Sequence, residues 1–264
     1  MSEAKIYHTK ITEIKVWTDG LISFRISRPE GYSFIPGQFS RLGLVKAQKA
    51  DYSEEDIIWR PYSIVSSTYE EELEYYSIVV TEGEFTQTLI KMSVGDEVLL
   101  DGKGYGLLTT DKFAGGKDLW LLSTGTGLAP FISILHDLEI WEQYETVILV
   151  HSTKFTSELT YQDLISSFNS HEYYKDLVQD KLKYVKIVTR DTEGADLYGR
   201  IPNLIKDGSL EKFVHTPLSQ ENSRVMICGN PDMVKEVRNL LVQERSFTVS
   251  RKDSLGNIVT ENGY

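Results

Sequence analysis

Through the first hundred or so residues, apolar and polar positions alternate in short runs rich in branched and aromatic side chains, with Gly or Pro between them. A helical period is nearly absent there. The pattern predicts strands at Lys10 to Thr18, Leu21 to Arg28, Gln38 to Leu44, Arg60 to Val65, Leu73 to Val80 and Asp96 to Leu100. That many short strands at that spacing suggest an antiparallel barrel. One short helical segment, Thr86 to Met92, follows Gly83 and can cover the barrel, with Thr86 as its N-cap.

The pattern changes after Asp111-Lys112-Phe113-Ala114-Gly115-Gly116-Lys117, a linker-like stretch ahead of the apolar run Leu119 to Leu122. Strand and helix patterns then alternate: a strand at Leu119 to Ser123, a helix at Pro130 to Trp141, a strand at Thr146 to His151 and a helix around Tyr161 to Phe168. A strand at Tyr184 to Thr189, a short helical piece near Pro202 to Lys206, a strand at Val225 to Cys228 and a helix at Asp232 to Glu244 follow. Such alternation indicates right-handed crossovers and a doubly wound parallel sheet with helices on both faces. The expected division is a β-barrel domain over residues 1–113 and an α/β domain over 114–264, for which 264 residues are ample.

Composition narrows the chemistry. A formal net charge of −11, without a basic patch interleaved with aromatics, disfavours nucleic acid as a partner. The single cysteine, Cys228, excludes an internal disulfide framework, a thiolate-ligated iron-sulfur cluster and a cysteine-based zinc site. The five histidines, His8, His136, His151, His171 and His215, show no ligand spacing, so no metal site is expected. Neither a signal-like N-terminus nor a membrane-length apolar run is present, and a cytoplasmic, monomeric protein is the expectation.

Two segments carry candidate chemistry. Ser123-Thr124-Gly125-Thr126-Gly127-Leu128-Ala129-Pro130 joins an apolar strand to an amphipathic helix. Gly125 and Gly127 would let the backbone approach a ligand, and free N–H groups at the helix start attract an anion such as a pyrophosphate. An ordinary tight strand-to-helix turn accounts for the same residues. Arg60-Pro61-Tyr62-Ser63 brings together a guanidinium for a phosphate, an aromatic face for a flat ring and a hydroxyl for a ring nitrogen, three needs of a bound flavin. A half-buried strand with alternating side chains is the plain alternative.

Arg60 to Ser63, Ser123 to Pro130 and Cys228-Gly229-Asn230-Pro231 occur in an order and at spacings that resemble the ferredoxin-NADP reductase family of FAD proteins, most nearly its compact bacterial members. The likeness covers essentially the whole chain. It implies an FAD-binding barrel followed by an NADP-binding domain. It further implies that Arg60 holds an FAD phosphate, that Tyr62, after Pro61, packs on the isoalloxazine, and that Ser63 lies near its reactive nitrogen. Tyr76-Ser77-Ile78 and Gly83-Glu84-Phe85-Thr86 match the family's second flavin segment, with the Thr86 hydroxyl near the pyrophosphate. Thr126 falls where flavin and nicotinamide approach, and Cys228 would line the site of hydride transfer. Arg190 matches a position that meets the extra phosphate of NADPH, with Arg224 and Lys235 completing the pocket and Arg200 a weaker addition. Lys235 stands where relatives often have arginine. Tyr264 matches a terminal aromatic that covers the flavin face, although Gly263 stands where relatives carry another aromatic.

The function so implied is hydride transfer from NADPH to FAD followed by single-electron delivery to ferredoxin or flavodoxin. Lys112, Lys117, Arg251 and Lys252 are the cations from which a docking patch could be drawn. Two other readings stay open: an NAD(P)H:flavin reductase that releases reduced flavin, and an electron-transfer subunit of a larger complex.

Overall fold

The computed structural model of the chain describes residues 5–46 and 53–263. Its first six strands are β1 (Ile6–Thr18), β2 (Leu21–Ser27), β3 (Phe39–Val45), β4 (Ile57–Ser63), β5 (Glu72–Ile78) and β6 (Glu97–Asp101). They form one antiparallel sheet in the order β4-β3-β6-β1-β2-β5. β1 serves two neighbours: Ile6 to Lys10 pair with β6, and Ile11 to Thr18 pair with β2 across a register shift between Ile11 and Glu13. Such a shift bends a strand and sharpens its twist, which turns the sheet back on itself. An Ile64–Tyr75 bridge and the Val65 N–H to Glu74 carbonyl bond of 2.9 Å then join β4 to β5 and close the barrel. Phe24, Ile26, Leu42, Leu44, Tyr75 and Leu100 fill its interior.

α1 (Glu84–Leu89) covers the barrel, burying Phe85 and Leu89. The expected N-cap at Thr86 is corrected: the helix starts two residues earlier behind Gly83, and the Thr86 hydroxyl lies inside it, donating to the Val80 carbonyl at 2.9 Å. That bond pins the turn between β5 and α1.

The second sheet contains β7 (Asp118–Thr124), β8 (Thr146–Thr153), β9 (Leu182–Val188), β10 (Leu197–Tyr198), β11 (Ser223–Gly229) and β12 (Ile258–Asn262). All are parallel, in the order β10-β9-β8-β7-β11-β12. The run Leu119-Trp120-Leu121-Leu122 is wholly buried because both faces of the sheet are covered. Leu119 and Leu121 pack with α2 (Ala129–Leu135), α3 (Leu138–Gln143), α4 (Gln162–Ser167) and α5 (Lys175–Val178). Trp120 and Leu122 pack with α6 (Ile201–Lys206), α7 (Ser209–Val214) and α8 (Pro231–Arg245). The first of these layers also takes in Leu21, Val65 and Tyr76 of the barrel, so the two sheets share a core.

One expectation changes here, and several elements come in addition to those expected. The single helix expected at Pro130 to Trp141 is two, because the Asp137 carboxylate caps α3 by accepting from the Glu139 N–H and the Trp141 indole donates to the Leu135 carbonyl at 3.0 Å. The segment after Glu244, which shows no helical pattern, contains β12 as a sixth parallel strand. α5, α7 and the two-residue β10 also went unpredicted. No helix among the described residues is long and apolar enough to cross a membrane.

Candidate functional site

Where the carboxyl ends of β7 and β11 face the barrel, a cleft of about 500 Å3 opens. The barrel contributes Phe39, Arg60, Pro61, Tyr62, Ser63, Tyr76, Ser77, Ile78, Val80, Gly83, Phe85 and Thr86. The parallel-sheet half contributes Thr126, Gly127, Cys228, Thr260, Glu261, Asn262 and Gly263. A cleft at the carboxyl edge of a parallel sheet is where ligands of such sheets bind, since the strand-to-helix turns converge there.

On the barrel side, β4 sets its last residues along the wall. Arg60 is exposed and donates one Nη1 bond to the Trp59 carbonyl. The Tyr62 ring packs edge-on against Phe24 at 6.0 Å and tilted on Phe85 at 5.2 Å, which fixes its plane. Its hydroxyl accepts from Ser77 Oγ at 3.4 Å, and burial pushes the phenol pKa up. Tyr76 is almost wholly buried, and the same cause raises its phenol. Gly83 is required by closeness: a Cβ there would stand 2.9 Å from Thr86 Oγ1 and 3.0 Å from Val80 Cβ.

On the other side, the segment Ser123 to Pro130 leaves β7, makes a tight 3-10 turn over Gly125–Leu128 and enters α2. Its two glycines do different work. Gly125 has a φ of +53° with no atom within 4 Å of a would-be Cβ, so it bears the left-handed turn and faces open space. Gly127 lies on the end of β11, where a Cβ would come within 2.4 Å of the Cys228 carbonyl oxygen. Gly229 reciprocates, with a φ of +132° and only 2.2 Å between its would-be Cβ and Thr124 Oγ1. The same Thr124 hydroxyl accepts from the Asn230 N–H at 2.8 Å, and the Asn230 side chain caps α8 through the Asp232 and Met233 N–H groups.

The two walls meet at Ser63 and Glu261. Ser63 Oγ donates to Glu261 Oε1 at 3.3 Å, linking β4 to β12. Burial raises the Glu261 carboxyl to about 7, against a smaller lowering by the Ser63 bond. Cys228 is buried beside it; burial first, and the Glu261 charge second, hold its thiol well above the usual range. That shift disfavours the thiolate, and Cys228 lines the cleft.

Of the residues singled out from sequence, Arg60, Pro61, Tyr62, Ser63, Tyr76, Ser77, Ile78, Gly83, Phe85, Thr86, Thr126, Gly127 and Cys228 come together in the cleft. Glu84 and Gly125 sit beside the lining residues without being among them. Arg190 and Arg200 lie just past the carboxyl ends of β9 and β10, and Lys235 is in the first turns of α8, all exposed on the edge of the sheet that bears the cleft. Arg200 is paired with Glu236 at 2.9 Å. Arg224 is not brought to that edge. It lies at the amino end of β11, 7% exposed, with its guanidinium donating to the carbonyls of Ala114, Gln220, Glu221 and Ser223. Lys117, in an ion pair with Glu145, is likewise at the amino end of its strand. Tyr264 lies outside the described residues.

Phe39, Val80 and the run Thr260 to Gly263 were missed. For Phe39 a signal existed in the tight turn Pro36-Gly37-Gln38 just before β3. Glu261 carried none, since an acidic residue in a polar stretch reads as solvated. Also unmarked was Phe155 beyond β8, whose ring lies 5.9 Å from the Arg190 guanidinium, with exposed Lys154 beside it.

Comparison with known proteins agrees with this arrangement. Residues 121–239 match the family described as the oxidoreductase NAD-binding domain. The chain is 40% identical over 240 residues to a ferredoxin-NADP reductase of Pseudomonas aeruginosa, covering 90% of each. It is 36% identical over 248 residues to a flavodoxin/ferredoxin-NADP reductase of Rhodobacter capsulatus, covering 92% of this chain and 89% of that one. A crystal structure of a ferredoxin NADP+ reductase from Neisseria gonorrhoeae with bound FAD and NADP superposes with a TM-score of 0.88 at 40% identity, over 99% of this chain and 100% of that one.

Proposed function

The chain belongs to the ferredoxin-NADP reductase family, and from that premise we propose that it is an NADPH-dependent FAD oxidoreductase whose electrons go to a one-electron carrier of the ferredoxin or flavodoxin type. The single observation that carries the reading is the convergence of both binding segments on one cleft, with Ser63 and Cys228 within reach of the same Glu261 carboxyl. A barrel up to residue 113 would carry the flavin and the remainder the nucleotide.

The residues present fit an FAD. A planar wall is made by Tyr62, braced by Phe24 and Phe85, and Arg60 stands at the lip for a phosphate. Gly83 keeps the β5-to-α1 turn tight enough for Thr86 to stay on the cleft. When bound, FAD supplies the conversion between a two-electron hydride and single-electron transfers.

The chain's own contribution is orientation and control of protons. Gly127 and Gly229 lock the turn after β7 against the end of β11, so Thr126 and Cys228 face the barrel at fixed height. Glu261, with a carboxyl near neutrality, can hold a proton at the cleft and exchange it through Ser63 Oγ. At the outer edge, Lys154, Arg190 and Arg200 with the Phe155 ring supply cations and a stacking face suited to a phosphorylated adenosine. Preference for NADPH would come from this group, without Arg224.

The test is reduction of ferricyanide by the isolated chain with NADPH and with NADH, after gel filtration. Retained FAD and faster turnover with NADPH support the reading. Loss of FAD on the column supports a reductase of free flavin instead, and absence of turnover supports a subunit that needs its complex.

A further inference from the structure

Tyr76 lines the cleft from β5, but two residues of the other half of the molecule hold it. Thr160 Oγ1 donates to the Tyr76 hydroxyl at 2.9 Å, and the Tyr76 ring meets that of Tyr161 edge-on at 5.3 Å. Both partners sit on the segment between β8 and α4.

Tyr161 is itself immobilised. Its backbone is in the left-handed region, with φ 58° and ψ 13°, a conformation that costs a non-glycine residue energy and persists only where surroundings enforce it. Its ring packs on Trp17 at 4.7 Å, and its hydroxyl donates to Glu74 Oε1 at 2.7 Å. Arg25 Nη2 holds the second oxygen of the same carboxylate at 2.7 Å. Glu74 and Tyr76 are two apart on β5 and so share a face of the strand. The parallel-sheet half thus grips one strand of the barrel at two adjacent points, one of them a residue of the cleft.

We propose that Thr160 and Tyr161 are positioning residues for the reaction: they set the Tyr76 wall against the flavin and thereby align the barrel's ligand with the nucleotide carried by the other half. The inference rests on the reading of the cleft as a flavin site. Its physical basis is that hydride transfer falls steeply with small errors of distance and angle, while an ordinary interface bond would affect stability alone.

Thr160→Val removes the hydroxyl at nearly constant shape, Thr160→Ser keeps it, and Tyr161→Phe removes the hydroxyl's bonds to Glu74 and Ser23 while keeping the ring. Each is measured as FAD-loaded protein by visible circular dichroism of the flavin, by FAD dissociation constant, and by kcat and KM for NADPH. The expected result is an altered flavin dichroism and a roughly tenfold lower kcat at unchanged KM for Thr160→Val and Tyr161→Phe, with both restored in Thr160→Ser. Wild-type dichroism and kcat in Thr160→Val, or a loss confined to melting temperature, overturns the proposal. A wild-type chain that binds no FAD overturns the cleft reading itself, and the inference with it.

Discussion

Ser63 Oγ and Glu261 Oε1 are 3.3 Å apart although 198 positions separate them in the chain. The bond joins the last residue of a barrel strand to a strand of the other sheet, at the one place where Cys228 also reaches the cleft. Replacing Glu261 by Gln removes the group that can exchange a proton there, and kcat for NADPH oxidation is expected to fall by roughly a hundredfold. Ser63→Ala, which leaves the carboxyl in place, should cost about tenfold. Steady-state kinetics on FAD-saturated protein checks both; equal activity of wild type and Glu261→Gln would remove the carboxyl from the mechanism.

The pH dependence follows from the same group. A Glu261 carboxyl raised to about 7 is protonated below neutrality and ionised above it, so activity that needs the proton declines as pH rises through about 7. The linkage has the same sign for folding. A carboxyl raised from 4.5 to about 7 contributes stability that is full below 4.5 and lost as pH rises through about 7. Glu261→Gln should flatten both profiles over that range, as read by kcat against pH and by urea unfolding against pH.

His151 acts in the opposite direction. It is fully buried on β8, its Nδ1 lies 3.2 Å from the Tyr184 hydroxyl, and burial lowers its pKa from 6.5 to about 3. A depressed histidine contributes stability above 6.5 that is lost as pH falls from 6.5 towards about 3, because the unfolded chain takes up the proton first. Denaturant titrations between these pH values should show a slope that His151→Leu reduces.

Arg224 and Arg190 should separate cleanly. Truncating Arg224 to Ala leaves the carbonyls of Ala114, Gln220, Glu221 and Ser223 without their donor and should cost about 2–4 kcal/mol of stability. Its ratio of NADPH to NADH efficiency should stay that of the wild type. Arg190→Ala is expected to do the reverse, keeping the melting temperature and lowering that ratio by about tenfold. Parallel melting and kinetic measurements on the two variants decide it.

Gly127→Ala places a methyl group 2.4 Å from the Cys228 carbonyl oxygen, backbone against backbone, with no flexible side chain to yield. A destabilisation of about 2–3 kcal/mol is expected, together with weaker nucleotide binding as the turn is pushed off β11. Gly125→Ala meets no neighbour, and its cost should come only from the left-handed φ, about 1 kcal/mol. Chemical denaturation of both variants gives the comparison.

The legible parts of this protein were those written in short-range pattern. Strand alternation before residue 101 and the strand-helix rhythm after residue 118 come from side chains choosing a buried face, and that choice is local. Arg60 to Ser63 and Ser123 to Pro130 were visible for the same reason: each is a compact segment whose chemistry lies in adjacent residues. Less was legible where a residue's meaning depends on a distant partner. Asp137 splits a helix that periodicity would have continued, through a cap that only the path into α3 makes useful. Thr86 looks like an N-cap in sequence and proves to be a pin for the preceding turn.

Arg224 and Glu261 mark the limit most sharply. By sequence, a cation near the Cys228 turn suits an anionic ligand, and an acid in a polar tail suits solvent. Folding reverses both, because strand direction sends Arg224 to the amino end of β11 among carbonyls, and the parallel pairing of β12 with β11 carries Glu261 to the carboxyl end, into the cleft. Burial periodicity and turn chemistry act over a few residues, and they sufficed to read the two sheets, their order along the chain and the two segments that the fold brings to one cleft. Which charges stand at the cleft edge, which carboxyl is raised towards neutrality and which loop grips Tyr76 follow from the tertiary structure alone. Each of those depends on desolvation and on contacts between residues some eighty to two hundred positions apart.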